Sequence, residues 1–120
     1  MPNHVIAVGL GGMIGALLRY SIQLYLPSQS FFPYSTLLVN LLGCTGLGLL
    51  WGASEKSGLA GPSLSFWMIG LLGSFTTFST IAKDTLLLCG SHGVGWGLFY
   101  IMITNTLGLL CASLGYFFLR

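Results

Sequence analysis

Apolar residues run through this chain in four long blocks, each too continuous for the one-sided stripe of a soluble helix. The first extends roughly from Val5 to Leu26, the second from Ser35 to Ala53, the third from Leu64 to Leu88 and the fourth from Val94 to Leu119. A helix needs about 20 apolar residues to cross about 30 Å of hydrocarbon. The pattern therefore predicts an all-α polytopic membrane protein of four transmembrane helices, forming one domain over residues 1–120. Polar punctuation separates the blocks. It is Pro27-Ser28-Gln29-Ser30 with Pro33, then Ser54-Glu55-Lys56-Ser57-Gly58 closed by Gly61-Pro62, then Gly90-Ser91-His92-Gly93. No basic stretch precedes the first block and Arg19 interrupts it late, so it reads as a retained helix rather than a signal peptide.

Composition sharpens this picture. Hydrophobic residues make up 54% of the chain and charged residues only 5%, where a soluble domain carries about 25% charged residues. That balance speaks against a soluble enzyme, a nucleic-acid binder and a disordered chain. A net charge of +2 suggests no polyanionic partner. The three cysteines, Cys44, Cys89 and Cys111, are far apart and read as packing residues, with no metal or disulfide spacing. The 18 glycines include the pairs Gly11/Gly15 and Gly48/Gly52, spaced for close helix contact in lipid.

Charge gives a weak instruction on orientation. With four spans, Lys56 and Arg120 fall on one side, while Arg19 and Lys83 lean toward the other. Cytoplasmic loops normally hold the excess of Lys and Arg. Here the score is even. Two outcomes stay open: insertion both ways with antiparallel pairing, or a weak bias resolved by a partner.

Polar residues at membrane depth are the candidate chemistry. Five of the seven residues from Ser74 to Thr80 carry hydroxyls, and Gly70 and Gly73 precede them. This segment reads either as a helix break lining a cavity, with carbonyls freed for a hard cation such as Na⁺, or as a continuous helix. Asn40 lies one turn after Thr36, and the two share a face. Its amide either glues helices or lines a polar path, and the same pair of readings holds for Asn105, with Tyr100, Thr104 and Thr106 nearby. Arg19 sits about 22 Å beyond His4 along a helix, where it either snorkels or attracts anions. The acids are Glu55 in a loop and Asp84 near the end of the third span. The chain lacks a catalytic triad, a metal cluster and a phosphate-cradling loop, so no enzyme is expected.

Four segments resemble one family in order along the chain. Gly11 to Tyr20 is similar to the GGxxGAxxRY opening of the Fluc (CrcB) fluoride channel family. Thr36 to Gly43 resembles its GTLxVNxxG segment, Gly70 to Thr80 its GxxGGxTTFST signature, and Asn105 to Gly108 its NxxG. The resemblance implies a broken third helix and a dual-topology antiparallel dimer in the lipid bilayer of the inner (plasma) membrane. It also implies passive, fluoride-selective efflux from the cytoplasm. A structural Na⁺ would be held by the backbone carbonyls of Gly73 and Thr76. Asn40 would line the pore and Phe78 would present its ring edge to the anion. Ser79 and Thr80 would add hydroxyls, Arg19 would shape the vestibule potential, and Tyr100 and Thr104 would form a polar track. Departures are Ile81 at the second pore phenylalanine, Ser74 at a glycine, Ser35 at the glycine before Thr36, and Lys83-Asp84 where a Glu follows the motif. A homodimer is preferred to a heterodimer whose partner supplies the missing ring. The rival readings are a non-conducting or partner-dependent subunit and a small dual-topology drug exporter. The exporter should carry a buried carboxylate in its first span, and this chain has none there.

Overall fold

In lipid every main-chain N–H and C=O must find a partner within the chain, and a helix does this segment by segment. The computed structural model describes residues 1–26 and 31–120, and it follows that rule along its helices, with an exception at a break in the third span. The turn expected at Pro27-Ser28-Gln29-Ser30 lies outside the described residues. Helix α1 is Pro2–Tyr25 and α2 is Tyr34–Ser57. The third span has two limbs. The first joins α3 (Pro62–Leu64), a π-helical stretch at Ser65–Leu72, and α4 (Gly73–Phe75); the second is α5 (Phe78–His92). Helix α6 is Val94–Leu119. Four stretches are thus long and apolar enough to cross a membrane, with the third spanning Pro62–His92.

Two ends differ from the sequence expectation. Helix α2 does not stop at Ala53 but runs to Ser57, carrying Glu55 and Lys56 on its last turn. The Trp51 indole donates to Glu55 Oε1 at 3.2 Å, one turn away, and Gly58 then ends the helix in the left-handed conformation, φ 70°. Helix α5 likewise continues through Gly90 to His92. The reversal into α6 is made at Gly93 alone, whose φ of 100° suits only glycine.

Glycine contacts set the helix pairing. Gly11 rests on Phe66 and Leu71, and Gly15 on the Leu71 carbonyl, so α1 lies parallel to the first limb. The His4–Ser65 contact at 2.8 Å fastens the start of that pair. Gly48 rests on the Ala112 carbonyl and Gly52 on that of Tyr116, so α2 lies parallel to α6. At the far end of this second pair, the Tyr116 hydroxyl donates to Glu55 Oε2 at 2.7 Å. A small buried core of Phe32, Ile81, Leu88 and Tyr100 joins α5, α6 and the start of α2. Large side chains elsewhere on the helices, such as Leu17, Ile69, Met102 and Leu114, are exposed. That is the exterior a protein solvated by lipid should present.

Gly48→Val should force α2 and α6 apart and lower thermal stability in detergent by about 1–3 kcal/mol, the usual cost of overpacking. Gly95→Ala, where a Cβ meets nothing within 4 Å, should change it by less than about 0.5 kcal/mol. Unfolding followed by fluorescence on the two purified variants separates these outcomes.

Candidate functional site

The segment left open between break and continuous helix is a break. Helix α4 ends at Phe75, and Thr76 (φ −78°, ψ 154°) and Thr77 (φ −150°, ψ 122°) are extended. Helix α5 restarts at Phe78. Asn40 on α2 holds the two limbs at this point. Its Oδ1 accepts the Thr77 N–H at 2.9 Å, and its Nδ2 donates to the Thr77 carbonyl at 3.3 Å and the Thr36 carbonyl at 2.9 Å. The Thr77 N–H needs an acceptor, which fixes the orientation of the amide. Asn40 is only 6% exposed. Its amide hydrogens are therefore engaged with carbonyl oxygens, and its role in this arrangement is to brace the break.

Thr77 caps α5. Its hydroxyl oxygen accepts the Thr80 N–H at 3.3 Å and also meets the hydroxyls of Ser79 at 3.1 Å and Thr80 at 3.2 Å. A threonine in this place satisfies one of the donors left over at a helix start. The positive end of the α5 dipole then lies at the break, in the middle of the third span.

These bonds have a consequence for two carbonyls. In an unbroken helix the Thr77 N–H would bond Gly73 and the Thr80 N–H would bond Thr76. Both donors are taken, by Asn40 and by the Thr77 hydroxyl. The main-chain oxygens of Gly73 and Thr76 are thereby released. Gly73 is exposed, and the Thr76 hydroxyl donates back to Leu72 at 3.0 Å. Among the described residues no cluster of His, Cys, Asp and Glu could hold a metal ion. Freed carbonyls are hard oxygen donors, which suits a hard cation.

Two cavities flank the brace. One, of about 330 Å³, is lined by Asn40, Gly43, Gly73, Thr76, Phe78 and Ile81 among others. The Phe78 ring is 66% exposed, while Ile81 is 5% exposed and also belongs to the core. Ser79 is exposed and Thr80 half-buried. The other cavity, of about 390 Å³, opens where α1 and α5 end and α2 begins. Its polar lining includes Gln23, Thr36, Thr80, Lys83, Asp84 and Ser91. Here the Thr36 hydroxyl donates to Asp84 Oδ2 at 2.7 Å, and Lys83 Nζ lies 3.7 Å from Asp84 Oδ1.

Beneath this vestibule lie Tyr100, fully buried, and Thr104, 4% exposed, one turn apart on α6. Tyr100 neighbours Thr36, Thr104 and Asp84. The hydroxyls of Tyr100 and Thr104 are buried, and although these groups stand close, none meets them in good hydrogen-bond geometry. Two such groups side by side call for an explanation, since each costs about 1–3 kcal/mol of desolvation when unpaired.

The structure thus places Asn40, Gly73, Thr76, Phe78 and Ile81 on one cavity and Thr80 on the other, while Tyr100 and Thr104 are buried and line neither. Arg19 is half-buried on the face of α1 that carries Gln23 one turn later, but it does not itself line the vestibule. Asn105 turns away from Thr104 and is exposed. Sequence reasoning did not single out Thr77 or the Thr36–Asp84 pair. A signal for the second existed: Asp84 is the one carboxylate inside the apolar blocks read from the sequence, and Thr36 shares the Asn40 face.

A family model described as CrcB-like protein, Camphor Resistance (CrcB), matches residues 6–116. Among curated relatives, a "Fluoride-specific ion channel FluC" of Thermus thermophilus is 42% identical over 116 residues, covering 95% of this chain and 91% of the relative. Proteins of the same name from Desulfotalea psychrophila and Oceanobacillus iheyensis are 39% and 42% identical. Those matches cover 94% of this chain and 89% and 88% of the relatives.

Asn40→Leu should orphan both main-chain groups of Thr77. The expected loss of stability is about 2 kcal/mol or more, read as a lower midpoint of thermal unfolding in detergent.

Proposed function

As a member of the CrcB-like family the chain is a fluoride-specific ion channel, not an enzyme, and we propose a path and an assembly for it. Fluoride enters the vestibule, passes the Tyr100 and Thr104 hydroxyls, and crosses at the level of the break beside Phe78. The observation that carries this path is the pair of buried, partnerless hydroxyls. A small anion holds its hydration water tightly, so several donors must replace that water at once. Two neutral hydroxyls one helical turn apart contribute to this without the trap that a fixed positive charge would set. The exposed N-terminus of α5 adds a positive potential at mid-membrane. The Phe78 ring adds an electropositive edge, and Ser79 and Thr80 add further hydroxyls. Flow is passive, from the cytoplasm outward across the inner membrane.

The same break supports a second subunit. Released carbonyls and an extended backbone do not face hydrocarbon; they must be covered by protein or line a cavity. Gly73, Phe78 and Ser79 are all exposed in the single chain. A second copy, inserted the opposite way, would cover them, and the even charge score of the loops permits that insertion. We propose an antiparallel homodimer with Na⁺ between the subunits, held by the Gly73 and Thr76 carbonyls. When bound, the ion supplies positive charge that neutralises those oxygens. Ile81 offers no ring edge, so a homodimer has one such ring per path, that of Phe78.

Purified protein in liposomes, followed with a fluoride electrode, should release fluoride rapidly and chloride negligibly. Tyr100→Phe and Thr104→Val should each cut fluoride release about tenfold, the worth of one hydrogen bond at ~1.4 kcal/mol. Equal release of both anions, or undiminished release by both variants, would refute the path. Absence of release by this chain alone, regained on adding a different second chain, would refute the homodimer. Exchange of Na⁺ for N-methylglucamine should shift the purified protein from dimer toward monomer on size-exclusion chromatography. An unchanged dimer would remove sodium from the assembly.

A further inference from the structure

The vestibule contains a charge arrangement that the path does not explain. A carboxylate, Asp84, sits on the wall of a cavity meant for an anion. Its side chain is only 13% exposed, and one oxygen is fixed by the Thr36 hydroxyl at 2.7 Å. Left to itself, this charge would repel fluoride at the entrance. Lys83 is the one cation among the described residues lining the cavity. Its ammonium stands 3.7 Å from the free Asp84 oxygen, and its side chain is 67% exposed. That contact is longer than a charge-assisted hydrogen bond of about 2.7–2.9 Å. The ammonium therefore keeps its face to the water of the vestibule while shielding the carboxylate behind it.

We propose that Lys83 is the anion-collecting residue of this vestibule. It offsets Asp84 and raises the local fluoride concentration at the entrance. The proposal rests on the fluoride-channel reading and deepens it. Lysine suits the task because its flexible stem carries a compact point charge that attracts without a fixed bidentate grip. Being largely solvated, the charge acts over a distance set by salt. The Debye length is about 10 Å at 0.1 M and about 3 Å at 1 M. Lys83 lies five residues after Phe78, about 7.5 Å along the helix. Its field therefore reaches toward the break at low ionic strength and is screened at high ionic strength.

The test is fluoride release from liposomes at about 0.02 M and about 1 M of an impermeant salt, on the full-length protein. A unit charge about 6 Å from an anion in watery surroundings changes its local concentration about threefold. Lys83→Gln should therefore lower initial release about threefold at low salt and match the unaltered protein at high salt. Lys83→Glu should lower it about tenfold at low salt, and Lys83→Arg should preserve both rate and salt dependence. A Lys83→Gln rate equal to that of the unaltered channel at low salt would overturn the proposal. So would a loss of the same size at both salt concentrations, because that is the mark of a structural role. Failure of the unaltered protein to release fluoride at all would instead overturn the parent reading, and this one with it.

Discussion

An asparagine side chain can meet a peptide group as another peptide would, with one acceptor for its N–H and one donor for its C=O. Asn40 does this for Thr77. A helix that stops in the middle of a membrane leaves main-chain groups with no water to bond. The exchange between Asn40 and Thr77 removes that penalty at the point where the chain is most irregular. Because Asn40 also bonds the Thr36 carbonyl one turn back on its own helix, the amide is rigid before it meets the break. The bond to Asn40 deprives the Gly73 carbonyl of its helical donor, and the Thr77 hydroxyl does the same for the Thr76 carbonyl. One buried amide and one threonine hydroxyl thus stabilise the break and leave two carbonyl oxygens without their helical donors.

The division of labour around the brace follows from charge. On the vestibule side the groups are a carboxylate tied to a hydroxyl, an exposed ammonium and two buried hydroxyls with nothing to bond. On the other side are main-chain carbonyls, glycine and an aromatic ring. Donors and a helix N-terminus favour an anion, while bare carbonyl oxygens favour a cation. A single chain holds both sets within one turn or two of Asn40.

Much of this was legible in the sequence because lipid restricts the alternatives so severely. The four apolar blocks became the four spans, since an apolar stretch of that length has no other stable place. The hydroxyl-rich stretch from Ser74 to Thr80 was readable as a site of conflict with helix. Its residue types alone did not decide for a break, because the decision belongs to Asn40, 37 residues away; the family resemblance is what implied it. Helix ends were misjudged where charged residues looked like loop. Glu55 and Lys56 stay helical because Trp51, Tyr116 and Arg120 all stand near the Glu55 carboxylate, a set of contacts that joins two helices. Nothing local announced the π-helical winding at Ser65–Leu72. Its neighbours on α1, Gly11 and Gly15, were visible only as a small-residue pair. The Thr36–Asp84 bond was hidden for a similar reason: it links residues 48 apart.

The exposed surface at the break carries the argument beyond one chain. Elsewhere the exterior is aliphatic and aromatic, which hydrocarbon tolerates. At Gly73, Phe78 and Ser79 it is backbone, a ring over a cavity, and a hydroxyl. A surface of that kind in mid-membrane must be covered by protein or line a cavity. Residues at the middle of the bilayer are also the ones that can meet their own copies about an axis lying in the membrane plane. An antiparallel pair would bring the released carbonyls of two chains to one place and leave the two vestibules opening on opposite sides. Each path would then be walled on one side by its own Tyr100 and Thr104 and closed on the other by the Phe78 of either chain. Under that arrangement the lack of a strong topological signal in the loops is what the assembly requires, since a chain with a firm orientation could never supply its own inverted partner.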